Sequence, residues 1–205
     1  MIRPVLSLCL IATGLLLCSC FIQGELRVRN RSTTDIDVSF DYDNEVILPN
    51  EDLSRFYNSD TTVHVEYDGL YVFKGYSDVY VELGSREVIN IVSDGGAIQV
   101  VNNSPHTIDH VYLATQSATS WGSDDLIGNI PPGGSAIWTS NPGIWDIKIV
   151  NNLDQSFYSY NHDVDMDTTE TYLFEEGKNT SDQKAGSGIE PTGARTEQKD
   201  QRIKK

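Results

Sequence analysis

Gly24-Glu25-Leu26-Arg27-Val28-Arg29-Asn30-Arg31-Ser32 is answered 72 residues later by Gly96-Ala97-Ile98-Gln99-Val100-Val101-Asn102-Asn103-Ser104. Glycine, alternating apolar residues, Asn and Ser recur in the same order in both stretches. The offset holds through Ile36-Asp37 against Ile108-Asp109 and Phe40 against Tyr112. With gaps, Leu48-Pro49-Asn50 answers Ile130-Pro131-Pro132, and Ser77-Asp78-Val79-Tyr80-Val81 answers His162-Asp163-Val164-Asp165-Met166. A repeat of this length implies two copies of one structural unit.

The unit reads as β. Leu26–Val28, Ile36–Phe40, Val63–Tyr67 and Val79–Leu83 alternate apolar with polar side chains. That period buries one strand face and wets the other. Asp43-Asn44, Leu48-Pro49-Asn50, Asp68-Gly69, Leu83-Gly84-Ser85 and Ser93-Asp94-Gly95-Gly96 separate the runs. Gly and Asn tolerate positive φ, and Pro presets its own. Short strands at this spacing predict an all-β chain of two tandem antiparallel, immunoglobulin-like sandwiches. The expected organisation is a leader at 1–19, a first unit at 20–95, a second at 96–175 and a tail at 176–205. The tail is Gly, Ser, Thr, Lys, Gln and Glu with little apolar surface, so disorder is expected there. A unit of this size has a thin core, so the copies should pack together or at least share the Asp94-Gly95-Gly96 hinge closely.

The leader places the protein. Arg3 precedes an apolar run from Val5 to Leu17. That run is shorter than the roughly 20 residues needed to cross a bilayer, and it reads as a cleavable signal. Its end, Leu17-Cys18-Ser19-Cys20, resembles a bacterial lipobox. The resemblance implies that the Cys20 thiol takes a palmitate-type acyl anchor and that cleavage falls before it. The other cysteines, Cys9 and Cys18, lie in the leader. The body therefore offers no disulfide and no thiol nucleophile. The expected location is the cell membrane or outer membrane, facing the periplasm or the cell surface. Phe21, where some bacteria use Asp for inner-membrane retention, leans the reading outward.

Charge narrows the partners. The chain carries 15 Lys and Arg against 30 Asp and Glu. Residues 20–175 hold 7 basic and 25 acidic residues, a net charge of −18, while 176–205 hold 7 and 5, a net of +2. Such a body repels nucleic-acid phosphates and should stand off from anionic headgroups.

The second copy carries an insertion, Ala114–Asn129, containing Trp121-Gly122-Ser123-Asp124-Asp125. A loop that grows and gains a Trp is a natural contact site. Trp121, Asp124 and Asp125 are thus the candidate partner-binding residues. Trp121 is either an exposed ring for a protein or carbohydrate partner or a plug for the sandwich end. Trp138 and Trp145 belong to strands and should pack.

Asn103-Ser104, Ile108, Val111-Tyr112, Trp121-Gly122, Asp124, Leu126, Gly128, Pro132-Gly133, Gly143 and Asp146-Ile147 together resemble a small β domain of secreted bacterial proteins of unknown role. The resemblance covers residues 97–175. It implies a fold and carries no catalytic residue.

Other clusters read as structural. His106 and His110 should share a strand face with Ile108 at a separation too wide for one metal ion. Asp163, Asp165 and Asp167 read as the wet side of a strand with Val164 and Met166 inward. Asp41–Glu45 reads as a turn. No Gly-x-Ser-x-Gly element is present. No metal, cofactor or catalytic residue is assigned. The function expected is a membrane-anchored, non-enzymatic binding module. The alternatives are a structural envelope lipoprotein without a ligand and a hydrolase with an unrecognised site.

Overall fold

A computed structural model describes residues 22–41, 43–177 and 199–202 of the chain. Its strands are β1 (Gly24–Asn30), β2 (Ile36–Phe40), β3 (Asp43–Ile47), β4 (Asp52–Tyr57), β5 (Thr61–Gly69), β6 (Val72–Val81), β7 (Arg86–Ile91), β8 (Gly96–Asn102), β9 (Ile108–Thr115), β10 (Ser135–Ser140), β11 (Gly143–Asn151), β12 (Ser156–Val164), β13 (Thr169–Phe174) and β14 (Lys199–Arg202). The protein is all-β, a β-sandwich architecture as the alternation predicts. No helix among the described residues is long and apolar enough to cross a membrane.

The first unit packs a β4-β1-β7 sheet on a β3-β2-β5-β6 sheet, and the second packs β13-β8-β10-β14 on β12-β11-β9. The correspondence runs strand by strand. β1 pairs antiparallel with β4 and parallel with β7, as β8 pairs with β10 and β13. Alternation does not reveal the parallel pair, because both pairing senses bury alternate residues. Each unit has its own core. One gathers Leu26, Val28, Ile36, Val38, Val63, Val65 and Val81. The other gathers Ile98, Val100, Ile108, Val111, Leu113, Trp138, Trp145, Ile147 and Phe174. Trp138 and Trp145 are buried as expected, each donating its indole N–H to a backbone carbonyl.

The repeated residues do the same structural work twice. Asn30 and Asn102 are fully buried. A Cβ on Gly24 would lie 2.6 Å from the Glu82 carbonyl oxygen and 2.7 Å from Val81 Cγ1, and one on Gly96 would collide with the Asp165 carbonyl oxygen and Val164 Cγ1. The turns that follow also match. The Ser85 amide and hydroxyl donate to the Glu82 carbonyl, and those of Thr168 to the Asp165 carbonyl. Gly84 and Asp167 both take positive φ there.

These contacts correct the alignment of the later segments. Val81 answers Val164, not Met166. Ile47, whose carbonyl accepts from Asn30, answers Ile130, whose carbonyl accepts from Asn102. The offset therefore grows from 72 to 83 and then stays constant.

The units meet at the β5–β6 turn. Thr139, fully buried, donates its hydroxyl to the Leu70 carbonyl at 2.9 Å. The Asp94 and Gly95 amides both donate to the Tyr71 carbonyl. Tyr71 Oη lies 3.0 Å from Thr169 Oγ1. The tail expected to lack structure falls mostly on 178–198 and 203–205, outside the described residues. The four described residues Lys199–Arg202 pair antiparallel with β10.

Candidate functional site

In the first unit β3 covers the edge of β2, with Ile36 opposite Ile47 and Phe40 opposite Asp43. The expected turn over Asp41–Glu45 is thus shorter than predicted: Asp41 takes φ 47 and Asp43 already opens β3. Among the described residues the second unit has no strand at this edge. Its longer loop uses side chains instead. Asp124 Oδ1 accepts the Val111 amide at 3.1 Å and the Leu126 amide at 3.0 Å. Asp125 Oδ2 accepts the Leu113 amide at 2.7 Å. The Asp125 amide donates to the Val111 carbonyl at 2.8 Å. Two carboxylates and one peptide group thereby complete the β9 edge, which would otherwise be an open template for pairing. The Asp125 carbonyl also receives the Trp138 indole N–H at 2.9 Å. Asp124 Oδ2 lies 2.7 Å from His110 Nδ1.

With the carboxylates turned toward β9, the loop presents Trp121. Its ring lies 5.8 Å from that of Tyr158, tilted by 48°. Tyr158 and Tyr160, alternate residues of β12, are 6.4 Å apart and nearly parallel. Tyr112, Lys148 and Tyr158 sit directly opposite one another across β9, β11 and β12. Lys148 Nζ lies 5.0 Å from the Tyr112 ring centre and 5.9 Å from that of Tyr158. Tyr160 is 42% exposed, and Trp121, Tyr112 and Tyr158 are half-buried. Burial, followed by Asp146, raises the Tyr160 phenol above its ordinary value. Burial, followed by Asp124 and Asp125, does so for Tyr112. The face is a row of partly wet rings around one cation, flanked by Asp146, Gln116 and Asn161, which are linked by hydrogen bonds.

The four histidines each pair with a carboxylate. His64 lies 2.6 Å from Asp78 and His106 lies 2.8 Å from Glu176. His110 pairs with Asp124 and His162 with Glu170. His110 does not share a face with Ile108. The β9–β11 register slips between them, so Ile108 is buried while His110 is exposed. The Asp163–Asp167 reading changes as well. β12 ends at Val164, and Met166 is 46% exposed in the following turn, not inward. Among the described residues no group of three His, Cys, Asp or Glu is placed to hold a metal ion. Cys20 lies outside the described residues.

His162 makes a contact the sequence does not reveal. Its Nε2 lies 2.8 Å from Ser159 Oγ, and its Nδ1 lies 3.1 Å from Glu170 Oε1. A register shift in β12 brings Ser159 and His162 together, and β13 supplies Glu170. The Asn161 amide in the same bulge is spent on Asp146 Oδ1 at 3.0 Å.

A second feature missed in sequence is ionic. Glu25, 9% exposed at its side chain, accepts from Arg27, Arg86 and Ser54. Hydrogen bonds from Arg27 first, then Arg86 and Ser54, lower its carboxyl to about 2. Asp52 lies within 3.8 Å of Arg27, 3.3 Å of Arg29 and 2.9 Å of Arg31. The signal was present in Arg27-x-Arg29-x-Arg31, since alternate strand residues share a face.

No family model and no curated protein matches this chain. Among solved structures, a protein from Eubacterium rectale is similar at 12% identity and a TM-score of 0.32, over 40% of this chain and 78% of that one. The Bacillus anthracis TIE protein is similar at 12% identity and a TM-score of 0.29, over 75% of this chain and 34% of that one. The minor pilin of Streptococcus agalactiae is similar at 10% identity and a TM-score of 0.26, over 74% and 94%.

Proposed function

We propose that the chain is a lipoprotein of the bacterial cell envelope, tethered through acylated Cys20, that acts as a non-enzymatic binding module. The aromatic face around Trp121 is its contact surface. The single observation that carries this reading is the arrangement of Trp121, Tyr158 and Tyr160 as neighbouring, partly exposed rings beside Lys148. Side chains of this kind give large contact area together with a polar edge. The loop assignment is narrowed: Trp121 is the contact, while Asp124 and Asp125 hold the loop in place. Anchoring is supported by the leader ending in Leu17-Cys18-Ser19-Cys20. The partner class is a protein or a carbohydrate.

The test uses the burial of Trp138 and Trp145, which leaves Trp121 as the indole that solvent reaches. Soluble glycans and envelope extracts are titrated while indole emission is followed. Binding is expected to shift the emission, and Trp121→Ala and Tyr158→Ala are expected to abolish capture with the fold retained. Undiminished capture by both variants removes the face from consideration.

A second reading, a hydrolase, is favoured by one observation: Ser159, His162 and Glu170 form a hydrogen-bonded line. That order of groups is the one by which serine hydrolases activate a nucleophile. The amide of Asn161 is committed to Asp146 and is not offered to an oxyanion, so the line reads first as a stitch between β12 and β13. Activated-ester hydrolysis that disappears in both Ser159→Ala and His162→Ala would establish the second reading.

A further inference from the structure

We propose that the outer face of the β4-β1-β7 sheet is a docking surface for the anionic headgroups of the membrane that holds Cys20. The inference rests on the lipid anchor of the preceding section and adds how the first unit lies against the bilayer.

Its first support is position. Only Phe21, Ile22 and Gln23 separate Cys20 from the start of β1 at Gly24. Four residue steps span at most about 14 Å when extended. The start of β1 is thus held close to the headgroup layer.

Its second support is charge. Residues 20–175 contain seven Lys and Arg, namely Arg27, Arg29, Arg31, Arg55, Lys74, Arg86 and Lys148. Four of them collect on the outer face of this sheet, while Arg55 of β4, in register with buried Leu26, turns to Asp43 and Glu45 of the other sheet. Arg27 and Arg29 alternate along β1, Arg31 follows it, and Arg86 stands beside Glu25 at the start of β7. Glu25 and Asp52 answer them, so four guanidinium groups share two carboxylates. Each guanidinium carries five N–H donors, and the side chains remain 25% to 58% exposed. The surplus donors and surplus charge suit phosphate groups.

Its third support is the apolar company. Phe56, in register with Glu25, is 59% exposed, and Val88, in register with Arg27, is 39% exposed. Ile22 and Leu83 near the start of β1 are 64% and 42% exposed. Basic and apolar side chains on one face are the composition of a surface that rests in the headgroup region.

The net charge of the body does not oppose this. Packed sheets lie about 10 Å apart, and the Debye length at physiological salt is about 8 Å. Carboxylates on the far sheet are therefore screened from a bilayer that the arginines touch. The expectation that the acidic body stands off from anionic lipid took the charge as spread out. The strands gather the positive part on one side.

The experiment uses the chain from residue 20 with Cys20→Ala, which has no acyl group. It is sedimented with vesicles of phosphatidylcholine alone and of phosphatidylcholine containing phosphatidylglycerol. Binding to the anionic vesicles, reversed by salt, is expected. The pair Arg31→Gln and Arg86→Gln is expected to weaken it about thirtyfold with unchanged circular dichroism, and Lys74→Gln is expected to leave it intact. Equal binding to both vesicle types, no binding to either, or undiminished binding by the Arg31 and Arg86 pair overturns the docking face. Failure of the anchor is read separately, because it would keep Cys20→Ala on salt-washed membranes of cells, whereas the docking face alone lets go in salt.

Discussion

Asn30 and Asn102, 72 residues apart, make the same four hydrogen bonds in the two units. Each carboxamide N–H pair donates to two carbonyls, those of Thr34 and Ile47 or of His106 and Ile130. Each carboxamide oxygen accepts the amide and hydroxyl of the Ser two residues on. The Asn thus ties the end of the first strand to the loop beyond it and to the segment entering the next sheet. Asn102→Ala leaves buried carbonyls without donors and is expected to cost about 2–4 kcal/mol in urea unfolding. Asn102→Asp should cost at least as much. A loss under about 1 kcal/mol would show that the tie is dispensable.

Gly96→Ala is expected to destabilise by about 1–3 kcal/mol, because the added methyl meets a backbone carbonyl that cannot rotate away. Gly24→Ala places its methyl against Glu82 and Val81 in the same way and should cost a similar amount. Thermal unfolding of the two variants checks whether the units respond alike.

The carboxylates of Asp124 and Asp125 do the work of a strand. Replacing both by Ala is expected to cost about 2 kcal/mol and to bare the β9 edge, giving concentration-dependent association in size-exclusion chromatography. A monomer of unchanged stability would mean that backbone contacts alone hold the loop.

Glu25 sets an acid limit. Its carboxyl is lowered from 4.5 to about 2 by Arg27, Arg86 and Ser54. A depressed carboxyl stabilises the fold above its unfolded value and loses that contribution as pH falls toward the folded one. Unfolding midpoints should therefore drop between pH 4.5 and 2, and Glu25→Gln should flatten the slope in that window. His64 works in the opposite sense. Its hydrogen bond to Asp78 raises it above 6.5, so its contribution is present at lower pH and fades as pH rises through the folded value.

The duplication was legible because the residues that carry it cannot be exchanged. A Gly under a carbonyl, a buried Asn and its Ser recur at fixed spacing, and the alternation of β1 and β8 reads directly as one buried face. The alignment slipped by one at Leu48 and by two at Ser77, since nothing in those segments marks where the longer loop ends. The slip in β9 register that parts Ile108 from His110 left no trace in the residues either. Asp124 and Asp125 looked like contact residues because a carboxylate in a loop reads alike whether it faces solvent or a strand edge. Arg86 joins Arg27 only through the parallel pairing of β1 with β7, which spacing along the chain does not disclose.

The central claim is that this fold is displayed from a lipid on Cys20, and acyl labelling in a bacterium that processes lipoproteins tests it most directly. The account predicts that the chain incorporates radioactive palmitate, that its mature form begins at residue 20, and that Cys20→Ala loses the label and is washed from the membrane fraction by salt. A chain that takes no label, or a Cys20→Ala protein that stays with salt-washed membranes, would contradict it.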